Sequence, residues 1–437
     1  MLRELRERAE AAIAMARAAG ADDVFASATR SRGVEVQVRD HEIEKLQEST
    51  GRGLAIRLYV DGRYATFRTS DLRAEPLGAF VRDAVSMTRA LERDPFRVIP
   101  DPALYEGRTD ASLDLVDEAV LALDTDTRIA WCREIAERCA HEQLISATAT
   151  VKDTHSLVAS ASSNGFSGHH LRTSHWRGGS VTLREEGDAR PAGAYRAGAR
   201  HLEDIPSATE VGVRSLAEAV RRLGATQGPT RRTTMVVDRR ASGRLVSLLL
   251  APAKASAISQ RRSFWAERVG EQVLSERLEI VDDPLIVRGL GSRYYDGEGI
   301  AARRLPIVAE GALQNLFVDT YYGRKIEREP TTGTTSNVVI TPGARDLEAI
   351  SADLDEAYLV TSWLGGNSDA TTGDFSLGLR GHLITGGAVA GPVQEMNITG
   401  NLVELFAGLV EVGNDPWTYS SLRAPTLVFE GVQFSGA

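Results

Sequence analysis

Near the start of the chain, apolar residues recur at spacings of three and four: Leu5, Ala9, Ile13 and Ala16, with Gly20 just beyond. That period places them on one face of an amphipathic helix, and glycine is a natural stop for it. The period then changes to two. Val34, Val36 and Val38 alternate with Glu35, Gln37 and Arg39, and Leu54, Ile56, Leu58 and Val60 alternate with Ala55, Arg57 and Tyr59. Alternation of this kind predicts strands with one face on a core. Asp61-Gly62 supplies the positive backbone angles of a tight hairpin before a further strand at Tyr64–Thr69.

A second helical pattern runs from about Arg73 to Arg93, and a break follows through Pro95, Pro100 and Pro102. More helix is expected from Leu113 to Glu142. From Leu144 the pattern is strand-rich, with the turn Asn164-Gly165 between two long strands, and a helix is expected at about Ala208–Leu223. The polar stretch Gly224–Arg232 reads as a domain boundary. Beyond it a strand at Met235–Val237 enters a helix through Leu245, Leu248, Leu249 and Leu250, and many short strands follow, punctuated by Glu310-Gly311, Pro342-Gly343 and Gly386-Gly387. Strands in runs with helices grouped apart predict an α+β fold: an N-terminal helix-covered antiparallel sheet domain over 1–225, with a subdomain break near 95–110, and a C-terminal strand-rich domain over 232–437 with mostly antiparallel sheets.

Length, charge and cysteine usage narrow the function classes. At 437 residues the chain can bury two or three cores. No stretch approaches the roughly 18 consecutive apolar residues of a membrane-spanning helix, and the charged start Met1–Arg6 does not resemble a signal peptide, so a cytoplasmic location is expected. The two cysteines, Cys132 and Cys139, lie two helical turns apart, on the order of 10 Å, beyond the reach of a disulfide; buried thiols in a reducing compartment are expected. A formal charge of −9, with only short and scattered basic runs, argues against a nucleic-acid partner.

Motifs for catalysis are sparse. A zinc peptidase helix needs His-Glu followed by a second histidine four or five positions after the first. After His41-Glu42 those positions hold Lys45 and Leu46, and after His141-Glu142 they hold Ile145 and Ser146. The one histidine concentration, His155, His169, His170 and His175, lies in strand-like sequence, where His169 and His170 must point to opposite faces and at most one can join the others. Gly165-Phe166-Ser167-Gly168 is one residue short of a nucleophile elbow. No phosphate-binding or dinucleotide loop is present. Acid pairs at Asp282-Asp283 and Asp296-Gly297-Glu298 read first as turns.

Segments spread through both halves nevertheless resemble one family. Gly33-Val34-Glu35-Val36, Glu44-Lys45, Glu48-Ser49-Thr50, Gly53-Leu54 and Arg57-Leu58-Tyr59-Val60-Asp61-Gly62 resemble the opening sheet of TldD/PmbA-type proteins. Ser336-Asn337, Pro342-Gly343, Thr372-Gly373-Asp374-Phe375-Ser376-Leu377-Gly378, Thr399-Gly400-Asn401-Leu402 and Val412-Gly413-Asn414-Asp415 continue the resemblance in order. In the TldD branch a His-Glu-x-x-x-His helix and a later Cys-Gly-Lys segment supply zinc ligands; the TldE (PmbA) branch lacks them. Here the first place reads Val246-Ser247-Leu248-Leu249-Leu250-Ala251-Pro252, and Pro416-Trp417-Thr418-Tyr419 through Ala437 contains no cysteine.

The resemblance therefore implies a non-catalytic TldE/PmbA-like subunit with no catalytic or metal-binding residue and no cofactor of its own. It implies a heterodimer with a TldD-like catalytic subunit that carries the zinc, acting on unfolded peptides, and leaves open whether the chain alone is a monomer or a homodimer. On that reading Asn337, Thr372, Asp374 and Ser376 are candidates for the wall of a peptide cavity; the alternative is that they are turn and strand-end residues fixing the fold. Two other functions stay open at this point: a stand-alone metallopeptidase using the histidine cluster, and a self-associating peptide-binding scaffold.

Overall fold

The computed structural model describes all 437 residues. Helix α1 (Leu2–Ala18) buries Leu5, Ala9 and Ala16 of the predicted stripe together with Ala12, and leaves Ile13 half-buried. It lies on a sheet built from β1 (Asp23–Arg39), β2 (Glu42–Val60) and β3 (Arg63–Thr69). Asp61 and Gly62 at the β2–β3 turn both take positive φ, +51° and +74°. Asp40 and His41 do the same between β1 and β2, which makes His41 an exposed turn residue. Helix α2 (Ala74–Arg89) joins α1 on the same face, over a core that includes Val24, Ala26, Ala28, Leu54, Ile56 and Leu58.

Between α2 and the next long strand the chain departs from expectation. Leu113 and Leu115 are buried, but outside any helix or strand, with Asp114 between them at φ +48°, and the Thr173 amide donates to the Leu115 carbonyl at 2.9 Å. Helix resumes only as α3 (Glu118–Ala122) and α4 (Thr125–Glu137), capped by Asp117 and Asp124. Local helical pattern lost here to a tertiary hydrogen bond and burial. Strands β4 (Leu144–Ser162), β5 (Ser167–Leu183) and β6 (Ala192–Ala199) then complete one antiparallel sheet of order β3-β2-β1-β4-β5-β6. Because β1 pairs with both β2 and β4, residues 95–110 link strands of a single sheet. Helix α5 (Ala208–Val220), opened by a Ser207/Glu210 capping box, packs with α4 over Val36, Val38, Ala149 and Val181.

The C-terminal part starts with β7 (Arg231–Val237) and α6 (Arg239–Leu250), followed by α7 (Ala255–Ser259). A five-stranded sheet of order β10-β9-β8-β11-β16 comprises β8 (Ile280–Asp282), β9 (Leu305–Ala309), β10 (Ala312–Leu313), β11 (Val338–Ile340) and β16 (Leu422–Arg423). Helices α8 (Thr320–Ile326), α9 (Leu347–Ala352) and α10 (Leu402–Ala407) lie between strands. The last sheet runs β14-β13-β12-β7-β17-β15, from β12 (Glu356–Ser368), β13 (Asp374–Thr385), β14 (Ala388–Asn401), β15 (Leu409–Val412) and β17 (Leu427–Ser435). It curls far enough for β14 to meet β17 at Asn397↔Ser435 and Ile398↔Phe434. Pairing is antiparallel except β11–β16 and β12–β7. The fold is thus α+β with mainly antiparallel sheets, as the sequence pattern predicts.

The two parts meet on both faces of the first sheet. Phe25, Tyr105 and Phe166 stack from its helix-free face onto Tyr295, with Phe166 and Tyr295 centroids 4.9 Å apart. Arg240 of α6 reaches Glu218 of α5 at 2.7 Å. No helix is long and apolar enough to cross a membrane.

Candidate functional site

Helix α6 is where the resemblance would place a metal. Asp238 caps it, accepting from the Arg240 amide at 2.8 Å. Its 3.6-residue period buries Ala241, Leu245, Val246 and Leu249, and leaves Arg244, Ser247 and Ala251 exposed. The stretch 416–422 comes alongside: the Arg239 guanidinium sits 5.7 Å from the Trp417 ring, and Leu422 lies against Gly243. The fold therefore brings the two segments together, as a composite metal site would require. Their side-chain oxygens, however, are all hydroxyls, of Ser242 and Ser247 on α6 and of Thr418, Tyr419, Ser420 and Ser421 on the other segment, and Ser247 Oγ donates to the Gly243 carbonyl at 2.8 Å. That chemistry does not fit zinc, which takes imidazole, thiolate or carboxylate.

The histidines do not converge elsewhere. In the unbroken β4–β5 ladder, His169 and His175 share a face with His155, and His170 takes the other. His170 faces Tyr295, with Nδ1 3.4 Å from the Tyr295 hydroxyl, and burial pushes its pKa down to about 3. His175 is fully buried beside Trp131 with neither ring nitrogen hydrogen-bonded. No group of three or more His, Cys, Asp or Glu side chains is arranged to hold a metal ion. His141 lies just past α4, its Nδ1 accepting from the Gln143 amide. Burial raises the Cys132 thiol to about 12 and the Cys139 thiol to about 11, so neither is a thiolate at neutral pH.

Asp283 and Asp296 form turns as expected, whereas Asp282 ends β8 and ties it to a remote segment. Asp282 accepts from the Ser336 amide and hydroxyl at 2.6 and 2.8 Å, and Asp296 from the amides of Glu298 and Ile300. Burial raises the pKa of Asp282, Asp296 and Glu298 from their ordinary values.

The proposed cavity residues divide. Thr372, Asp374 and Ser376 are exposed where β13 begins. Thr372 Oγ1 donates to Asp374 Oδ2 at 2.8 Å, and Asn401 Nδ2 to Asp374 Oδ1 at 3.0 Å; Asn397 Nδ2 donates to Ser376 Oγ at 3.2 Å. Together they make an exposed polar strand face, to which β14 contributes Asn397 and Asn401. Those two asparagines were not singled out from the sequence, although the alternation Asn397, Thr399, Asn401 is the signal that finds them.

Asn337 must be set apart. It is wholly buried, donating to the Asp283 carbonyl and Ser292 Oγ at 2.7 and 2.8 Å and accepting from the Gly291 amide at 2.8 Å. A side chain so enclosed pins the loop 283–292 and cannot line a cavity wall. Asn337→Ala is expected to cost about 2 kcal/mol of stability, since it strands buried partners, whereas Thr372→Ala and Ser376→Ala should each stay within about 0.5 kcal/mol; urea unfolding of the three variants checks this.

Beside α6, β12 has a free edge. Its pairing with β7 ends at Val360, whose carbonyl accepts from the Asp238 amide at 2.9 Å. From Leu364 to Ser368 the strand is exposed, anchored by the Trp363 indole N–H on the Ala241 carbonyl of α6 at 2.9 Å. An exposed polar strand face, a free strand edge and a helix with its exposed stripe suit the holding of an extended chain.

The chain is a helix-covered antiparallel sheet joined to a curled, strand-rich C-terminal part, and comparison with known proteins gives its family. Models described as PmbA/TldA metallopeptidase domain 1, central domain and C-terminal domain match residues 24–88, 118–223 and 230–436. The chain belongs to the PmbA/TldD metallopeptidase family. It is 24% identical to metalloprotease PmbA of Escherichia coli O157:H7 over 95% of this chain and 92% of that one. With the Haemophilus influenzae PmbA homologue it shares 26% over 99% and 96%. A Bacteroides thetaiotaomicron crystal structure, described as a candidate modulator of DNA gyrase, is similar with TM-score 0.96 and 35% identity, covering 99% and 98% of the two chains. TldE from Thermococcus kodakarensis shares the fold, with TM-score 0.86 at 21% identity over 98% and 100%.

Proposed function

We propose that this chain is the non-catalytic, TldE-like subunit of a heteromeric zinc metallopeptidase in the cytoplasm. The observation that carries the reading is α6: the fold sets it beside residues 416–422, yet the exposed positions hold Arg244, Ser247 and Ala251. Without imidazole, thiolate or carboxylate there, nothing lowers the pKa of a metal-bound water. The zinc then belongs to a TldD-like partner, and this chain contributes a wall of the peptide cavity. Its free β12 edge and the strand face of Thr372, Asp374 and Ser376 hold unfolded peptide by main-chain pairing. Two buried, unpaired cysteines support a reducing compartment.

The purified chain should carry no stoichiometric zinc by elemental analysis after dialysis against a weak chelator, and should co-purify with a TldD-like chain. Bound zinc at one equivalent would overturn the reading and make the histidines the place to mutate. With the complex in hand, substituting Thr372, Asp374 and Ser376 together should slow cleavage of an unfolded peptide; an unchanged rate removes this strand face from the cavity wall.

A further inference from the structure

Strand β6 covers β5 only from His175 to Thr182, so the β5 edge from Ser167 to Ser174 has no neighbouring strand. At Thr173 the edge is occupied by the Leu115 carbonyl, at 2.9 Å. The β4–β5 ladder is unbroken here, so His169 and Leu171, of the same parity as Thr173, also aim their main-chain N–H and C=O away from β4. Neither residue has a main-chain partner on that side. Buried sheet edges are normally paired or covered, and an open one is a template for another chain.

This edge opens on a cavity of about 770 Å³, whose apolar lining includes Leu115, Val116, Leu121 and Leu157. Two arginines, Arg6 and Arg30, stand on the cavity side of the sheet, and two more, Arg108 and Arg172, stand near the same edge on its opposite face, beside Phe166, His170 and Tyr295. Arg6 Nη2 is 3.5 Å from His169 Nδ1, Arg30 lines the cavity, Arg108 donates to the Ser167 carbonyl at 2.8 Å, and Arg172 lies 2.6 Å from His170 Nε2. None of the four is paired with a carboxylate. The one acid in the lining, Asp114, is held by Arg288 at 2.6 Å and faces His201 at 3.3 Å. Burial and these arginines keep His155, His169 and His170 neutral, so the positive field comes from guanidinium groups. Such a concentration of cations in a chain of net charge −9 selects an anionic partner.

We propose that the free edge of β5 at His169–Leu171 is a docking site for an acidic, extended segment of another polypeptide, which adds to the sheet as a strand. Main-chain groups at the edge would pair with its backbone, the leucines would take its inward apolar side chains, and the arginines would meet its carboxylates. A nucleic acid could use the arginines but neither the main-chain edge nor the apolar floor. The inference is independent of the partner-subunit reading, because it concerns a different sheet and needs no second subunit.

The test is fluorescence anisotropy of the full chain with a fluorescein-labelled peptide of alternating Glu and Val. Saturable binding is expected, with loss of affinity of about tenfold or more when alternate peptide amides are N-methylated, one hydrogen bond to a desolvated edge being worth about that factor. A Lys-for-Glu peptide should not bind. Leu171→Pro removes an outward amide without breaking the β4 ladder and should weaken binding by a similar factor, as should Arg30→Glu through charge. Undiminished binding of the N-methylated peptide, which needs no variant to fold, would overturn strand addition. So would tighter binding of a labelled oligothymidylate, which would make the surface a phosphate site, and so would the absence of any binding by the acidic peptide.

Discussion

Asp153→Ala is expected to cost about 3–5 kcal/mol of stability, because it leaves a buried guanidinium without its counter-charge. Arg128, in the first turn of α4, is 1% exposed and Asp153, in the middle of β4, is 5% exposed. Two parallel bonds join them, Nε to Oδ1 at 2.5 Å and Nη2 to Oδ2 at 3.0 Å, and Nη1 donates to the Leu123 carbonyl at 2.9 Å where α3 ends. The pair therefore clamps the α3–α4 junction to the sheet. Guanidinium groups stay charged in proteins generally, so the stranded charge is not relieved. Arg128→Lys should fail as well, because an ammonium cannot span both carboxylate oxygens and the Leu123 carbonyl. The double variant Arg128→Met with Asp153→Leu removes both charges and should recover most of the loss. Urea unfolding of the single and double variants decides: a double variant as unstable as Asp153→Ala would show that the cost is lost packing rather than a stranded charge.

What the sequence discloses follows where burial is one-sided. The stripe on α1 and the alternation of Leu54, Ile56, Leu58 and Val60 are legible because each element has one wet face and one dry one. The first half of β2, Glu42–Gly53, extends past the core with nearly every residue exposed, so no alternation marks it and the strand is longer than its pattern. Residues 113–117 fail for the opposite reason: their apolar spacing suits a helix as well as a strand, and the choice is made by a hydrogen bond to Thr173, remote in sequence. Closure of the last sheet at Ile398↔Phe434 is likewise beyond local pattern.

The candidate site divides along the same line. Thr372, Asp374 and Ser376 alternate with buried Phe375 and Leu377, so a single strand's period is enough to put them on a surface. Asn337 sits beside a strand with no such period, and its partners Asp283, Gly291 and Ser292 lie 45 to 54 residues away. Nothing local distinguishes an asparagine that lines a cavity from one that ties a loop. The split of the histidines between two faces is readable from alternation, but the sealing of His175 depends on α4 laying Trp131 over it.

That sealing predicts how stability responds to acid. His175 lies among Arg177 and Arg128, with Asp153 opposite it on β4 already committed to Arg128, and Trp131 across the ring at 5.3 Å. Burial, reinforced by the two arginines, lowers its pKa to about 3. An unfolded chain titrates the same imidazole near 6.5. Below about pH 6.5 the unfolded state takes up a proton that the folded state refuses, so the stabilisation is fully present above that pH and is lost as pH falls toward 3. By pH 4.5 the loss is roughly 2–3 kcal/mol from this residue alone. Buried Asp296 and Glu298, whose pKa values are raised, act in the opposite sense, because their protonated forms favour the folded state. Comparing His175→Phe with the parent chain isolates the histidine from that background. At pH 7 the two should agree to within about 1 kcal/mol, since the substitution keeps a ring and removes two unpartnered nitrogens. At pH 4.5 the variant should be the more stable by roughly 2 kcal/mol in urea unfolding. Parallel pH profiles would mean that water reaches His175 and holds its proton in the folded state.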